Sequence, residues 1–472
     1  MRSSPSARLA RPLGLLAAIA LLALAAAATG TAIGAGPIAS SAEKSGARAH
    51  TATSALARCL WSAGRLRSAK SRAARRRACR RTEARRARAT RPVKHAGGGG
   101  STTTTSGGTT TTPTTGGGAT TPTTSGGTTS PTTSGGTTTP TTNTRNAFGA
   151  DVFGVSTGGA IQNEDATTLG RDLDGIAGTR TRWVRVDINW AQIQGGGPSS
   201  YYWAAVDRVV QGATARGIKV LGTILYTPAW ARPSGTSASY GPDPSQYAAF
   251  AATAARHYAA MGVHAYEIWN EPNNVAFWTP KPDPAAYTRM LKAAYAAIKG
   301  ADAQATVVTG GTAPEPSDGT QVAPVDFLRG IYANGGGGSF DAVGHHPYCF
   351  PAYAGDPQSW SAWYQMYGTS PSLRSVMVAN GDGAKKIWAT EFGAPTNGPS
   401  GSQYVSEATQ AQMLTGAYQL YSTYDWGGPL FFYQGRDQGT STNSNENFFG
   451  FLRADFSAKP SYTAYQQAVA TL

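Results

Sequence analysis

From about residue 150 onward, short apolar runs alternate with amphipathic stretches, and each run ends in polar or aromatic residues. The runs are DVFGVS (151–156), RWVRVDIN (182–189), KVLGTILY (219–226), AYEIWNEP (265–272), ATVVTGG (305–311), DAVGHHPY (341–348), KIWATEFG (386–393) and PLFFYQG (429–435). Their length and flanking turn residues suit buried strands. Helix-like stretches follow at 201–216, 243–261, 284–300, 324–333, 405–424 and 460–470. Asp243-Pro244 and Asp283-Pro284 have the form of helix N-termini, where proline fits the first turn. Eight β-α alternations predict a parallel sheet closed into a (β/α)₈ TIM barrel. In the second run Val184, Val186 and Ile188 share the face that packs under helices. Arg185, Asp187 and Asn189 share the face that points inward near the mouth. Chemistry in such barrels sits at the C-terminal strand ends. Asn270, Glu271, His346, Tyr348, Glu391, Tyr433 and Gln434 fall there.

The first 145 residues have a different character. Arg2, Arg8 and Arg11 precede an apolar run from Leu13 to Ala28 and then small residues, the layout of a secretory signal peptide over residues 1–35. Retention of this run as a single-pass anchor is the alternative. Residues 36–96 are Ala/Arg-rich and compatible with helix. They read either as a solvated charge run or as an electrostatic attachment to anionic cell-surface polymers. Residues 97–145 are almost entirely Gly, Thr, Ser and Pro, with nothing apolar to offset chain entropy. They form a linker spanning roughly 35–42 Å root-mean-square. The expected location is secreted or cell-surface associated.

This division changes the meaning of the net charge of +15. From Asn146 to Leu472 there are 20 Lys+Arg against 24 Asp+Glu, so the barrel is mildly acidic and offers no basis for nucleic-acid binding. The three cysteines, Cys59, Cys79 and Cys349, form no CxxC pair, which leaves zinc and redox motifs unsupported. Cys59 and Cys79 are available for a disulfide in an exported chain, with Cys349 left over as a buried thiol. No metal or organic cofactor is called for, and a monomer is expected.

Glu271 in IWNEPN and Glu391 in IWATEFG end the fourth and seventh runs. Strands four and seven lie on opposite sides of an eight-stranded barrel, so their tips face each other across the mouth. Two carboxyl groups so placed suit acetal cleavage: one protonates the leaving oxygen, and the other attacks the anomeric carbon or activates water. Asn270 and Glu271 are neighbours, and both can enter the mouth only if the backbone kinks before Pro272. Glu267 is in phase with Glu271 and reads as a buried structural carboxylate paired with Arg185. His345-His346 lacks an evident third metal ligand. Gly154-Val155-Ser156-Thr157-Gly158 matches a serine nucleophile elbow, but it ends the first strand, which favours a barrel-mouth loop.

Asn270-Glu271-Pro272 and the Glu391 strand end resemble those of the retaining (β/α)₈ glycosidases. With Arg185, TPAW (227–230) and His346-Pro347-Tyr348, the set is most similar to glycoside hydrolase family 39 and cellulase-like relatives. The resemblance runs from about Val152 to Leu472. It implies Glu271 as acid/base, Glu391 as nucleophile and Asn270 as a hydrogen-bond partner of the sugar 2-hydroxyl. It also implies that Tyr348 and Arg185 steady Glu391, with His346 near Glu271 or the sugar. Trp230, Trp278 and Tyr433 are further candidates for carbohydrate contact, because mixed aromatic and polar mouths suit sugars. The resemblance admits β-xylosides, uronic-acid-containing glycans and bacterial exopolysaccharides as substrates. A non-catalytic carbohydrate-binding barrel and a transglycosylase using the same site remain as alternatives.

Overall fold

The computed structural model describes residues 149–472. The signal, basic and linker segments read from residues 1–145, with Cys59 and Cys79, lie outside the described residues. Eight parallel strands close into a barrel in chain order: β1 (Phe153–Ser156), β2 (Trp183–Asn189), β3 (Lys219–Leu225), β4 (Ala265–Asn270), β5 (Thr306–Gly311), β6 (Ala342–His345), β7 (Lys386–Phe392) and β8 (Gly427–Tyr433). β1 pairs with both β2 and β8, which completes the ring. Seven of the eight apolar runs contain a whole strand, and β8 begins two residues ahead of its run. No helix among the described residues is long and apolar enough to cross a membrane.

The larger helices are α1 (Ala166–Gly178), α3 (Ala204–Thr214), α4 (Pro244–Ala259), α5 (Pro284–Ala301), α6 (Pro324–Ala333), α9 (Glu407–Tyr421) and α10 (Pro460–Thr471), with shorter turns α2 (Trp190–Ile193), α7 (Ala362–Gln365) and α8 (Leu373–Ala379). As the Asp-Pro pairs implied, the Asp243 and Asp283 carboxylates each accept two backbone N–H bonds at the starts of α4 and α5. The sequence reading lacked α1, which carries three glycines in thirteen residues. Two of them lie under closely packed side chains. A Cβ on Gly175 would stand 2.7 Å from the Leu452 side chain, and one on Gly178 would overlap the Tyr462 hydroxyl.

Val184, Val186 and Ile188 pack outward into the main core with the helices, as their alternation predicts. Helix tyrosines fasten that layer to the sheet. The hydroxyls of Tyr247, Tyr287, Tyr418, Tyr421 and Tyr465 donate to carbonyls of Ile224, Ile268, Leu430, Ile387 and Gly154 at 2.6–2.9 Å. Each ring thus adds apolar burial while its polar tip stays paired. Inside the barrel, Leu221, Ala265, Val308, Ala342, Trp388 and Phe431 form an apolar plug with Trp183 against it. Farther along the strands the interior turns polar, with Arg185, Thr223, Glu267 and Thr390 all buried.

Candidate active site

Arg185 is the hub of the site. Its side chain is 2% exposed and projects from β2 into the barrel. Nε donates to Glu267 at 2.6 Å, Nη1 to Glu391 at 2.7 Å and Nη2 to Asn270 Oδ1 at 2.8 Å. Glu267 is fully buried and also accepts from the Thr223 hydroxyl at 2.8 Å and the Gly311 N–H at 2.9 Å. Burial opposes its charge, but the adjacent guanidinium wins and holds the carboxyl below its ordinary range. The same neighbours keep Arg185 firmly protonated despite burial. Glu267 is therefore the structural partner the sequence suggested.

Glu391 receives a second hydrogen bond, from the Tyr348 hydroxyl at 2.8 Å. Burial, together with the Glu391 charge, drives the Tyr348 phenol well above its ordinary value, so it remains a donor. Glu271 contacts a different set. The His346 Nδ1 lies 2.9 Å from its Oε1, and the Asn274 amide is 3.4 Å from its Oε2. The same nitrogen lies 3.6 Å from Glu391. His346 is completely buried, which disfavours its charge, but Glu391 and Glu271 outweigh that and raise its pKa. No side chain fits at Gly311, where a Cβ would overlap the His346 ring. Glycine there lets the imidazole lie against β5.

Glu271, His346 and Glu391 each bring one ligand atom within 4.8 Å of the others. The third metal-capable group not evident beside the histidine pair is thus supplied by the carboxylates. His345 points elsewhere, to the Thr312 hydroxyl at 2.8 Å and the Ala362 carbonyl at 3.0 Å. The guanidinium 2.7 Å from Glu391 already supplies a positive charge, which works against a second cation there.

Both carboxylates sit where strand regularity breaks. Trp269 and Glu271 adopt left-handed backbone, with φ of 74° and 44°, so Asn270 and Glu271 both reach the site. This is the kink that the alternation required. On β7 the pairing with β8 shifts register between Ala389 and Phe392, so that Glu391 and Thr390 both serve the interior. No residue pattern on this strand signals that bulge.

The aromatic candidates separate. Tyr433 is half-buried at the mouth, and its hydroxyl donates to Glu446 at 3.2 Å. Trp230 is partly buried, edge-on to Trp190, with its indole N–H bonded to the Gln194 carbonyl at 2.6 Å. Trp278 must be corrected. At 3% exposure it is core, packed edge-on to Trp269 and Tyr287. Its Pro-containing loop turns back through a Trp278 N–H bond to the Asn274 carbonyl, which drives the ring inward. Ser156 is fully buried, with its hydroxyl 3.4 Å from Arg185 Nη1, so the elbow motif presents no accessible nucleophile. Cys349 is a free, buried thiol, pushed up to about 12 by burial.

Two further acids face the mouth. Asp187, placed inward by alternation but given no role, is pushed up to about 6, mainly by burial. Glu446, in a short 3₁₀ turn (Asn445–Phe448), is raised to about 7 by partial dehydration in the mouth and by the charges of Glu391 and Glu271. Its turn is held from behind by buried Lys459, which bonds Asp437 at 2.8 Å and the Phe448 carbonyl at 3.1 Å. Spacing gave no route to Glu446, which lies in the irregular segment after β8.

Residues 142–426 match the family described as Cellulase (glycosyl hydrolase family 5). The fold is similar to that of a family 39 glycoside hydrolase from the gut symbiont Bacteroides cellulosilyticus WH2, with 24% identity, coverage of 69% of this chain and 64% of that one, and a TM-score of 0.54. A glucosidase from Croceicoccus marinus aligns at 17% identity over 68% of this chain and 67% of that one, with a TM-score of 0.51. This chain therefore spans less than two thirds of the Bacteroides protein's length. A search of curated proteins gives no match. The family match extends over more than half of the chain and takes in seven of the eight strands with both mouth carboxylates: the chain belongs to the cellulase family, glycosyl hydrolase family 5.

Proposed function

We propose that this protein is a glycoside hydrolase that cleaves O-glycosidic bonds of an oligo- or polysaccharide by double displacement with retention. The observation that carries this reading is the approach of the Glu271 and Glu391 carboxylates, whose nearer oxygens lie within 4.8 Å of each other. Retaining enzymes hold their two carboxyl groups about 5–5.5 Å apart, whereas inverting ones need about 6.5–9.5 Å to admit a water.

The environments divide the labour. Glu391 accepts bonds from Arg185 and Tyr348, which hold both its oxygens in place, as a nucleophile requires. Glu271 shares neither of those donors; its Oε1 lies 2.9 Å from His346 Nδ1, and it is the general acid that protonates the leaving oxygen. Glu391 then forms the glycosyl-enzyme bond. Glu271, now a base, takes a proton from the water that breaks it. Asn270, whose Oδ1 accepts from Arg185 Nη2, hydrogen-bonds the sugar's 2-hydroxyl in this reading.

The test is Glu391→Gly assayed with an activated aryl glycoside in the presence and absence of azide. Loss of activity with recovery as glycosyl azide supports the assignment. Failure of azide to restore turnover, or full activity without it, refutes Glu391 as nucleophile. We also propose that the enzyme works outside the cell, with residues 97–145 holding it away from the surface; the support is the apolar run near the N-terminus and the linker composition. Cell fractionation checks this, and retention in the cytoplasm overturns it.

A further inference from the structure

Asp187 is the one acid on the inner face of β2 without a protein partner. Two residues beyond Arg185, it shares the inward face, and a Cβ added to Gly159 would stand 3.0 Å from its Oδ2, so glycine opens the space in front of it. Its electrostatic neighbours are Arg185, Glu391, Glu267, Tyr226 and Tyr433. Among the described residues it makes no hydrogen bond and no ion pair. The nearby guanidinium is no substitute, because all three Arg185 nitrogens are directed to Glu267, Glu391 and Asn270. Asp187 is half-buried, and an acid that lines a cleft without a protein partner keeps its acceptor oxygens free for a ligand that completes the arrangement. Glu446 faces the same mouth, and its Oε2 accepts from the Tyr433 hydroxyl.

We propose that Asp187 is a specificity-determining residue that binds the sugar ring attacked by Glu391. It accepts hydrogen bonds from hydroxyl or amino groups of that ring, and with Glu446 it excludes a ring bearing a carboxylate. The inference rests on the glycosidase reading and deepens it. Of the substrate classes the sequence admits, it selects neutral or amino sugars at this position over uronic acids. A carboxylate there would meet Asp187 and Glu446 in a cleft that already contains the two catalytic acids. Hydroxyl and ammonium groups share the chemistry that a carboxylate acceptor recognises, and the assay separates them.

The experiment uses the full chain and a panel of 4-nitrophenyl glycosides: neutral pentosides and hexosides, a 2-amino-2-deoxyhexoside and a hexuronide. Monodeoxy analogues of the best substrate follow. Wild type is expected to turn over a neutral or amino glycoside at least about 100-fold faster in kcat/KM than the hexuronide. Asp187→Ala should lose about 100-fold on the best substrate while its Tm stays level or rises, because an unpaired carboxylate has been removed. One analogue, lacking the group bound by Asp187, should lose a similar factor with wild type and less than threefold with the variant. Activity of Asp187→Ala within threefold of wild type, deoxy penalties that ignore the substitution, or a clear fall in Tm would each overturn the proposal. If Asp187→Ala is unimpaired but Glu391→Gly is rescued by azide, the hydrolase reading stands alone. No turnover of any glycoside by wild type removes both.

Discussion

Replacing Arg185 by methionine isolates the electrostatics on which the site is built. The substitution keeps apolar bulk but removes the nearest cation from Glu267, which is completely buried and left with the Thr223 hydroxyl, the Gly311 N–H, the Thr390 hydroxyl and the more distant charge of His346. Stripping one partner from a buried ion pair costs about 3–5 kcal/mol, because the remaining charge is uncompensated. With an unfolding entropy of roughly 0.7 kcal/mol per kelvin for a barrel of this size, Tm should fall by about 4–7 °C near pH 7. The pH dependence has a definite sign. In the intact protein the Glu267 pKa lies below the unfolded 4.5, so its stabilisation is present above that value and is lost as pH falls through the folded pKa. In Arg185→Met the desolvation loses its main opponent, the Glu267 pKa rises above 4.5, and the variant loses stability as pH rises through that window. The gap between variant and wild type should therefore narrow on acidification from pH 7 to pH 4. Adding Glu267→Gln removes the orphaned charge and should recover most of the loss, giving a strongly non-additive double-mutant cycle. Denaturant unfolding followed by circular dichroism at the two pH values measures all four proteins. A gap that does not change with pH, or additive effects of the two substitutions, would refute the view that Arg185 primarily balances buried carboxylates.

Tyr348→Phe deletes one donor to Glu391 without emptying volume and should lower kcat about 10–100-fold with little change in Tm, as expected for a hydrogen bond to a charged group worth about 1.5–3 kcal/mol. Trp278→Ala should destabilise the barrel by about 3–5 kcal/mol through core loss, measured by denaturant unfolding; a raised KM with unchanged stability would return that ring to the substrate. Cys349 should resist a thiol reagent at pH 8 until the protein is unfolded, and rapid labelling of the native fold at this position would contradict its burial and raised pKa.

The barrel was readable because strand and helix periodicities differ and the alternation repeats eight times. The two carboxylates were readable because they end runs four and seven, and Arg185 because it lies in phase with the interior of its strand; the role of Tyr348 came with the resemblance carried by His346-Pro347-Tyr348. What spacing could not convey was where individual rings and loops go. Trp278 follows a strand end in a Pro-containing loop, which resembles a rim position, but the turn closed by Asn274 folds it under Trp269. Glu446 occupies the irregular stretch between β8 and α10, where no periodicity exists to orient a side chain, and its place depends on the buried Lys459–Asp437 pair. α1 carries Leu169, Leu173 and Ile176 at helical spacing, but its three glycines lower helix propensity; two of them, Gly175 and Gly178, sit where Leu452 and Tyr462 press against the helix.

The WNEPN segment shows why a local motif can report on a tertiary site. Two non-glycine residues in left-handed backbone within three positions cost roughly 1–3 kcal/mol each, and such a conformation persists only if its surroundings impose it. The motif's own residues do so. The Trp269 indole N–H bonds the Phe277 carbonyl at 2.7 Å, and the ring is edge-on to Trp278 and Tyr226. The Asn273 amide donates to the Ala313 and Val322 carbonyls at 2.8 Å and accepts from the Ala313 N–H, tying the turn to the segment after β5. Trp269 and Asn273 are thus clamps, and Asn270 and Glu271 are what they hold in place. On β7 the bulge does the equivalent work for Glu391 without any residue that announces it, because the register shift depends on β8 rather than on local chemistry. A carboxylate whose presentation depends on its neighbouring residues leaves a signature of that presentation in sequence; one whose presentation depends on β8 shows in sequence only as the acid that ends its run, and its aim is set by its partners, Arg185 and Tyr348, once the barrel is closed.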